Sequence, residues 1–291
     1  MILHACSVSM LSCDGTLLKD KDVYFMEYNK NKKNFREKSD RSSQESSDGN
    51  VIVGRNPVLE LLKSGRGIEK IYIQKGEREG SVTKIYAEAR SRGINVAETD
   101  KQKLDALAGG NAHQGVAAIA SAKEYVSLEQ IVAIAAEKGE KPLIVVCDGI
   151  EDPHNIGAII RCCEGAGAHG LVIGKRHAPA LGQTVFKASA GAAEHLPIAK
   201  VTNIASAIDE LKELGVWTFA AEAGGADYHS TDFDLPCAIV MGSEGNGVSR
   251  LVKEKCDFLV SIPMYGKVNS LNVSTAASVL LFDAAYKQRN K

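Results

Sequence analysis

No apolar run in this 291-residue chain approaches the ~20 residues that would cross a bilayer, so no membrane anchor is expected. The opening Met1–Leu11 has neither a basic leader nor a long apolar core, which argues against a secretion signal and for a cytoplasmic location. There is no C-x-x-C pair, and Cys6, Cys13, Cys147, Cys162, Cys163, Cys237 and Cys256 make an odd count, several within apolar runs. They read as reduced core residues rather than a disulfide framework. The seven histidines lack metal-ligand spacing, so no metal is expected. No G-x-x-x-x-G-K-[ST] loop is present, which removes support for ATP or GTP hydrolysis. A formal net charge of −1 excludes an overall basic protein, although a balanced total can hide a basic face.

What is present is ordinary globular material, 44% hydrophobic and 24% charged, enough for two modest domains. Residues 26–50 are charged and Ser-rich with almost no aliphatic side chains, and too little burial is on offer to offset ordering entropy. We expect a disordered extension over residues 1–50, with residues 1–25 lying upstream of the true start at Met26. Lys30, Lys32, Lys33, Arg36 and Lys38 read as a solvated tail in preference to a phosphate contact. From Val51 to residue 122 the pattern predicts a small α/β domain. Asn56-Pro57 offers a helix start, strands follow at Ile71–Gln74, Ile94–Ala97 and Val116–Ala120, and helices at Val82–Ser91 and Lys101–Ala108. Residues 123–141 are assigned as a linker, with Ser127 capping a helix through Leu128, Ile131 and Val132. Over residues 142–291 aliphatic strands at Leu143–Cys147, Leu171–Ile173, Trp217–Ala220, Ala238–Met241 and Leu259–Ile262 alternate with helices, which predicts a mainly parallel sheet covered on both faces.

Ligands of open parallel sheets sit beyond the carboxyl ends of the strands, and three loops there stand out. The first, DGIEDPHNIGAIIRCC, puts Asn155 where it can cap a helix with Ile156, Ile159, Ile160 and Cys163 on one buried face and Arg161 off it. The second, Gly242–Gly247 (GSEGNG), joins a strand to a helix carrying Val248, Leu251 and Val252. Its glycines let backbone amides approach a ligand closely, while Glu244 argues against a phosphate there. The third, IPMYGKVNSLNVS, crowds Asn269, Ser270, Asn272 and Ser274 before a helix buried through Val273, Ala276, Ala277, Leu280, Leu281 and Ala284. Gly165–Gly170 matches G-x-G-x-x-G letter for letter. It closes a helix and precedes a strand, the reverse of the dinucleotide context.

Taken together, these three motifs resemble the signature motifs of the SpoU (TrmH-type) branch of the SPOUT RNA 2′-O-ribose methyltransferases, in order and in spacing. The resemblance covers Val51 to the C-terminus and is nearest to the bacterial 23S rRNA guanosine-2′-O-methyltransferases. It implies a C-terminal domain whose last helix threads a trefoil knot, a small RNA-binding N-terminal domain and a homodimer. It implies S-adenosylmethionine as cofactor, in a pocket lined by Gly242, Ile262 and Leu271 with Met241 and Asn272 beside them. Arg161 matches the family's catalytic arginine. A guanidinium is always protonated and makes a poor base, so the role implied is stabilising the developing alkoxide or clamping the adjacent phosphate. Asn155 and Glu244 would orient it. Arg55, Asn56 and His113-Gln114-Gly115 also resemble family segments, but read as turn and cap residues. Of the possible RNAs, 23S rRNA is preferred to tRNA, and both are set against an inactive RNA-binding assembly factor.

Overall fold

A computed structural model describes residues 50–76 and 80–290. The expectations for residues 1–49, including the extension and the lysine cluster, lie outside the described residues.

A four-stranded sheet comes first. Strand β1 (Asn50–Val53) leads through helix α1 (Arg55–Ser64) to β2 (Ile68–Gln74), α2 (Ser81–Ser91), β3 (Asn95–Thr99), α3 (Lys101–Ala108) and β4 (Val116–Ala120), with sheet order β1-β4-β2-β3. β4 runs antiparallel to both of its neighbours, whereas β2 and β3 are parallel. β1 was not anticipated: four residues that pair only with β4 carry little periodicity of their own. The first helix starts one residue before Asn56 because Gly54, at φ 100°, turns the chain out of β1. Its first free amide, Arg55 N, donates to Gln114 Oε1 at 3.1 Å, and Arg55 Nε donates to the Gln114 carbonyl at 2.9 Å. A side chain 59 positions away thus does the work expected of Asn56.

Helix α4 (Leu128–Glu137), inside the stretch assigned as linker, carries the expected cap. Ser127 Oγ accepts from Gln130 N and the Gln130 side chain accepts from Ser127 N, a reciprocal capping box. Its buried face reaches the larger sheet, where Ile131 fills the space that a side chain at Gly170 would need.

That sheet contains β5 (Leu143–Asp148), β6 (Gly170–Gly174), β7 (Ile198–Val201), β8 (Trp217–Asp227), β9 (Cys237–Gly242) and β10 (Phe258–Ser261), in the order β10-β8-β9-β5-β6-β7. Every pairing is parallel, as expected. The central strands are buried along their length, save for the half-buried Asp148 at the end of β5, because helices cover both faces. β7 was missed, being only IAKV with two of its four residues half-exposed. The covering helices are α5 (Pro153–Ala166), α6 (Gln183–Ala188), α7 (Ile204–Glu213), α8 (Arg250–Lys255) and α9 (Val273–Arg289). In α5, Ile156, Ile159, Ile160 and Cys163 are wholly buried, each isoleucine contributing about 1.5–3 kcal/mol. α5 lies against α6 so closely that a Cβ at Gly157 would fall 2.4 Å from that of Ala188. Of the three apolar residues read on the helix after the second loop, Leu251 is 55% exposed, Val252 is buried on α8, and Val248 is buried just before it.

The two sheets meet at a buried ion pair. Arg66 Nη1 lies 2.9 Å from Glu194 Oε1, with 8% and 0% of the side chains exposed. Arg66 Nε donates to the Ser121 carbonyl and Lys123 Nζ donates to the Glu194 carbonyl. Burial pushes the Glu194 carboxyl above its usual range despite Arg66.

Among the described residues all five cysteines are free. Burial pushes the Cys147 and Cys163 thiols well up and that of Cys237 up to about 12, which fits reduced core positions. No helix among the described residues is long and apolar enough to cross a membrane.

Candidate active site

The three loops converge. They leave the carboxyl ends of β5, β9 and β10, and the first two of these strands pair directly, with Asp148 opposite Gly242. Asp152, not Asn155, caps α5: its Oδ1 accepts from His154 N at 2.9 Å and Pro153 occupies the first turn. Proline has no N–H to satisfy and its φ suits that position, so the helix begins there and Asn155 lies inside the first turn. This leaves the Asn155 amide, 8% exposed, free for another partner.

That partner is Glu244, which accepts from Asn155 Nδ2 at 3.0 Å and, through the same Oε1, from Asn272 Nδ2 at 2.6 Å. Asn272 Nδ2 also donates to Asn155 Oδ1 at 3.0 Å. An ionised carboxylate only accepts, so both amides must turn their NH2 groups towards it. Asn272 Oδ1 is left to cap α9, accepting from Ser274 N at 2.9 Å and Ser274 Oγ at 2.6 Å. One residue from each loop thus enters a closed hydrogen-bonded triangle.

The second loop turns tightly. Ser243 and Gly247 exchange backbone hydrogen bonds of 3.1 and 2.9 Å, and Asp148 Oδ2 accepts from Ser249 N at 2.7 Å. This folds Gly247 back over Gly242, where a Cβ would lie 2.0 Å from the Gly247 carbonyl carbon. Only glycine fits.

Between the second and third loops lies a cavity of about 460 Å3, within the range of small-molecule sites. Met241, Gly242, Ile262 and Leu271 line it, as does Glu244. Val260, Val273, Ala276 and Leu280 supply an apolar wall, and no Lys, Arg or His lines it. Asn272 and Asn155 do not line it and belong to the triangle. Arg161 is exposed on α5 and does not line the cavity. Among the described residues it forms no hydrogen bond or ion pair, so the bonds of Asn155 and Glu244 run to each other and to Asn272 rather than to Arg161. Its neighbour Cys162 bonds Ser278 of α9 at 2.7 Å, tying the two helices beside it.

Sequence reading missed Glu222 in the cavity wall. β8 continues past the expected end at Ala220, and its register against β10 jumps from Leu259↔Ala220 to Val260↔Ala226. The intervening residues bulge, and Ala221, Glu222 and Ala223 face the cavity. A charged residue directly after a buried strand was the available signal. Among the described residues no cluster of His, Cys, Asp and Glu suits a metal ion. Gly167, in the left-handed region, ends α5 and Gly170 opens β6, so the G-x-G-x-x-G match is a helix-to-strand connection. His113 and Gln114 serve structural turns: His113 Nδ1 accepts from Gly115 N at 3.0 Å.

Comparison with known proteins gives the family. Residues 142–282 match the SpoU rRNA Methylase family, and residues 51–126 match the RNA 2′-O ribose methyltransferase substrate binding domain. A Bacillus subtilis protein named as a TrmH family tRNA/rRNA methyltransferase is 44% identical over 84% of this chain and 98% of its own. A Staphylococcus haemolyticus protein of the same name is 48% identical over 83% and 96%. Among solved structures, the SpoU methyltransferase AviRb from Streptomyces viridochromogenes, in complex with AdoMet, superposes with a TM-score of 0.68 at 24% identity, covering 81% of this chain and 88% of that one. An rRNA methyltransferase from Sinorhizobium meliloti gives 0.67 at 25% identity, covering 82% and 87%. The chain belongs to the SpoU/TrmH family of RNA methyltransferases.

Proposed function

We propose that this enzyme transfers the methyl group of S-adenosylmethionine to a ribose 2′-hydroxyl, and that its substrate is a guanosine of 23S rRNA. The observation that carries the cofactor is the lining of the 460 Å3 cavity: an apolar wall, two carboxylates and no basic residue. A phosphate-bearing nucleotide would be repelled by the Glu244 carboxylate, whereas an adenosyl group suits the apolar wall and its cationic sulfonium suits the charge of Glu244, that of Glu222 being offset by Lys253 at 3.0 Å. Gly242, Met241, Ile262 and Leu271 would hold it, with Asn272 fixing the third loop behind.

When bound, the cofactor would supply an electrophilic methyl group for an in-line displacement, the ribose oxygen–carbon bond forming as the sulfonium sulfur–carbon bond breaks, with S-adenosylhomocysteine leaving and the hydroxyl proton passing to water. The enzyme's part is to hold the two reactants and favour the alkoxide. Arg161, exposed and unengaged among the described residues, is suited to meet the RNA and to stabilise the oxygen or clamp the neighbouring phosphate. Asn155 and Glu244 act at one remove, by locking the loops that form the cavity.

The remaining readings rest on the family. Residues 51–122 form the RNA-selecting domain, joined through residues 123–141 to the methyltransferase domain at 142–291, and the last helix threads a trefoil knot. Two copies pair, and Phe282 and Tyr286, 52% and 66% exposed on α9, provide apolar surface for such a contact. The enzyme acts in the cytoplasm. The test is Arg161→Ala: methyl transfer to RNA falls at least a hundredfold while S-adenosylmethionine binding stays within twofold. A fully active variant removes Arg161 from the mechanism.

A further inference from the structure

We infer that Glu222 receives the ribose hydroxyls of the adenosyl cofactor; this rests on the cofactor reading above. Three observations point to it. First, the side chain reaches the cavity only because β8 bulges between its pairs with Leu259 and Val260, and bulges beside sites serve to re-aim side chains. A regular strand would place its successive residues alternately on the two faces of the sheet.

Second, the carboxylate is held rather than loose. Its Oε2 is buried and faces Lys253 Nζ at 3.0 Å, and it packs against Gly247, where a Cβ would come within 3.1 Å of it. Glu222 therefore joins the bulge to the end of the glycine-rich loop.

Third, the charge balance selects the ligand group. Glu244, the other carboxylate in the wall, already accepts two amide hydrogen bonds. At Glu222 the ammonium of Lys253 offsets the negative charge, and a second cation brought alongside would meet Lys253 as well. Oε1, with no buried deficit of its own, keeps acceptor capacity for neutral donors. A vicinal diol supplies two O–H donors and no charge. Of the uncharged donors of an adenosyl cofactor, the adenine amino group offers a single nitrogen, and only the ribose presents two hydroxyls on adjacent carbons. The sulfonium and the amino-acid ammonium are the groups this pair would disfavour.

The test measures binding by calorimetry with the full chain, using S-adenosylhomocysteine, its 2′-deoxy and 3′-deoxy ribose analogues, and S-adenosylmethionine. For the unmodified protein, removing a ribose hydroxyl is expected to weaken binding tenfold or more. In Glu222→Ala, S-adenosylhomocysteine binds tenfold or more weakly, and the deoxy analogues bind no worse than it does. Glu222→Gln, which keeps the shape and one acceptor, falls between and serves if the alanine variant does not fold. Lys253→Met serves as a control for a merely structural ion pair: it should not abolish the discrimination between ribose and deoxyribose. Undiminished discrimination in Glu222→Ala would overturn the inference, as would a loss confined to the cationic S-adenosylmethionine. If the unmodified protein binds none of these compounds, the cofactor reading itself fails and the inference with it.

Discussion

Asn155 and Asn272, 117 residues apart in the chain, are joined by a 3.0 Å hydrogen bond and share the carboxylate of Glu244. This contact turns three separate loops into one site. Asn155 and Asn272 hold the cavity in shape without lining it, while Glu244 does both.

The triangle predicts a charge-dependent effect at Asn155. Asn155→Ala removes a buried donor and acceptor, with an expected loss of about 1–3 kcal/mol. Asn155→Asp is nearly the same size but sets a second carboxylate against Glu244, so it should be worse than alanine above the carboxylate range and recover as the pH falls towards 4. Denaturant melts at pH 7.5 and pH 4.5 measure this. An aspartate variant as stable as the wild type at pH 7.5 would show that the triangle does not organise the loops.

Gly242→Ala addresses the crossing of the second loop over the end of β9. Because the added methyl would meet backbone rather than a movable side chain, the loop must shift. We expect a stability loss of about 1–3 kcal/mol, and loss of cofactor binding out of proportion to it. Thermal denaturation alongside calorimetry separates the two; a variant that binds normally would mean that the loop's conformation is unimportant to the pocket.

How far the site was legible follows from which contacts are local. The buried stripe of α5 and the Ser127 capping box are written within one or two helical turns, and both were readable. The order of the motifs marked the three loops, and four of the five residues assigned to the cofactor line the cavity, Asn272 being the exception. Asn155, however, was read as a cap although the adjacent Asp152-Pro153 pair is itself a local helix start; what no local pattern shows is its bond to Glu244, 89 residues away. Glu222 depends on a register jump between β8 and β10, a property of two strands separated in the chain. Gln114 capping α1 across 59 residues was hidden for the same reason.

His169 makes the fold sensitive to mild acid. Its Nδ1 accepts from Leu143 N at 3.1 Å, so the ring proton must sit on Nε2, which donates to Glu140 Oε2 at 3.0 Å. Burial holds its pKa below the ordinary 6.5 despite Glu140. The unfolded chain therefore binds a proton that the folded chain refuses. Stability is fully present above pH 6.5 and falls as pH drops towards the depressed folded value, with a slope of at most about 1.4 kcal/mol per pH unit. Denaturation curves from pH 7.5 to 5.0 should show a shallower slope in His169→Gln than in the wild type; equal slopes would assign the acid sensitivity to other groups.

The central claim is tested most directly by nucleoside mass spectrometry after incubating the full chain with labelled S-adenosylmethionine and either protein-free 23S rRNA or total tRNA. The account predicts labelled 2′-O-methylguanosine in the 23S rRNA alone. Label in tRNA alone would contradict the substrate, and label on a base instead of the ribose would contradict the chemistry assigned to the site.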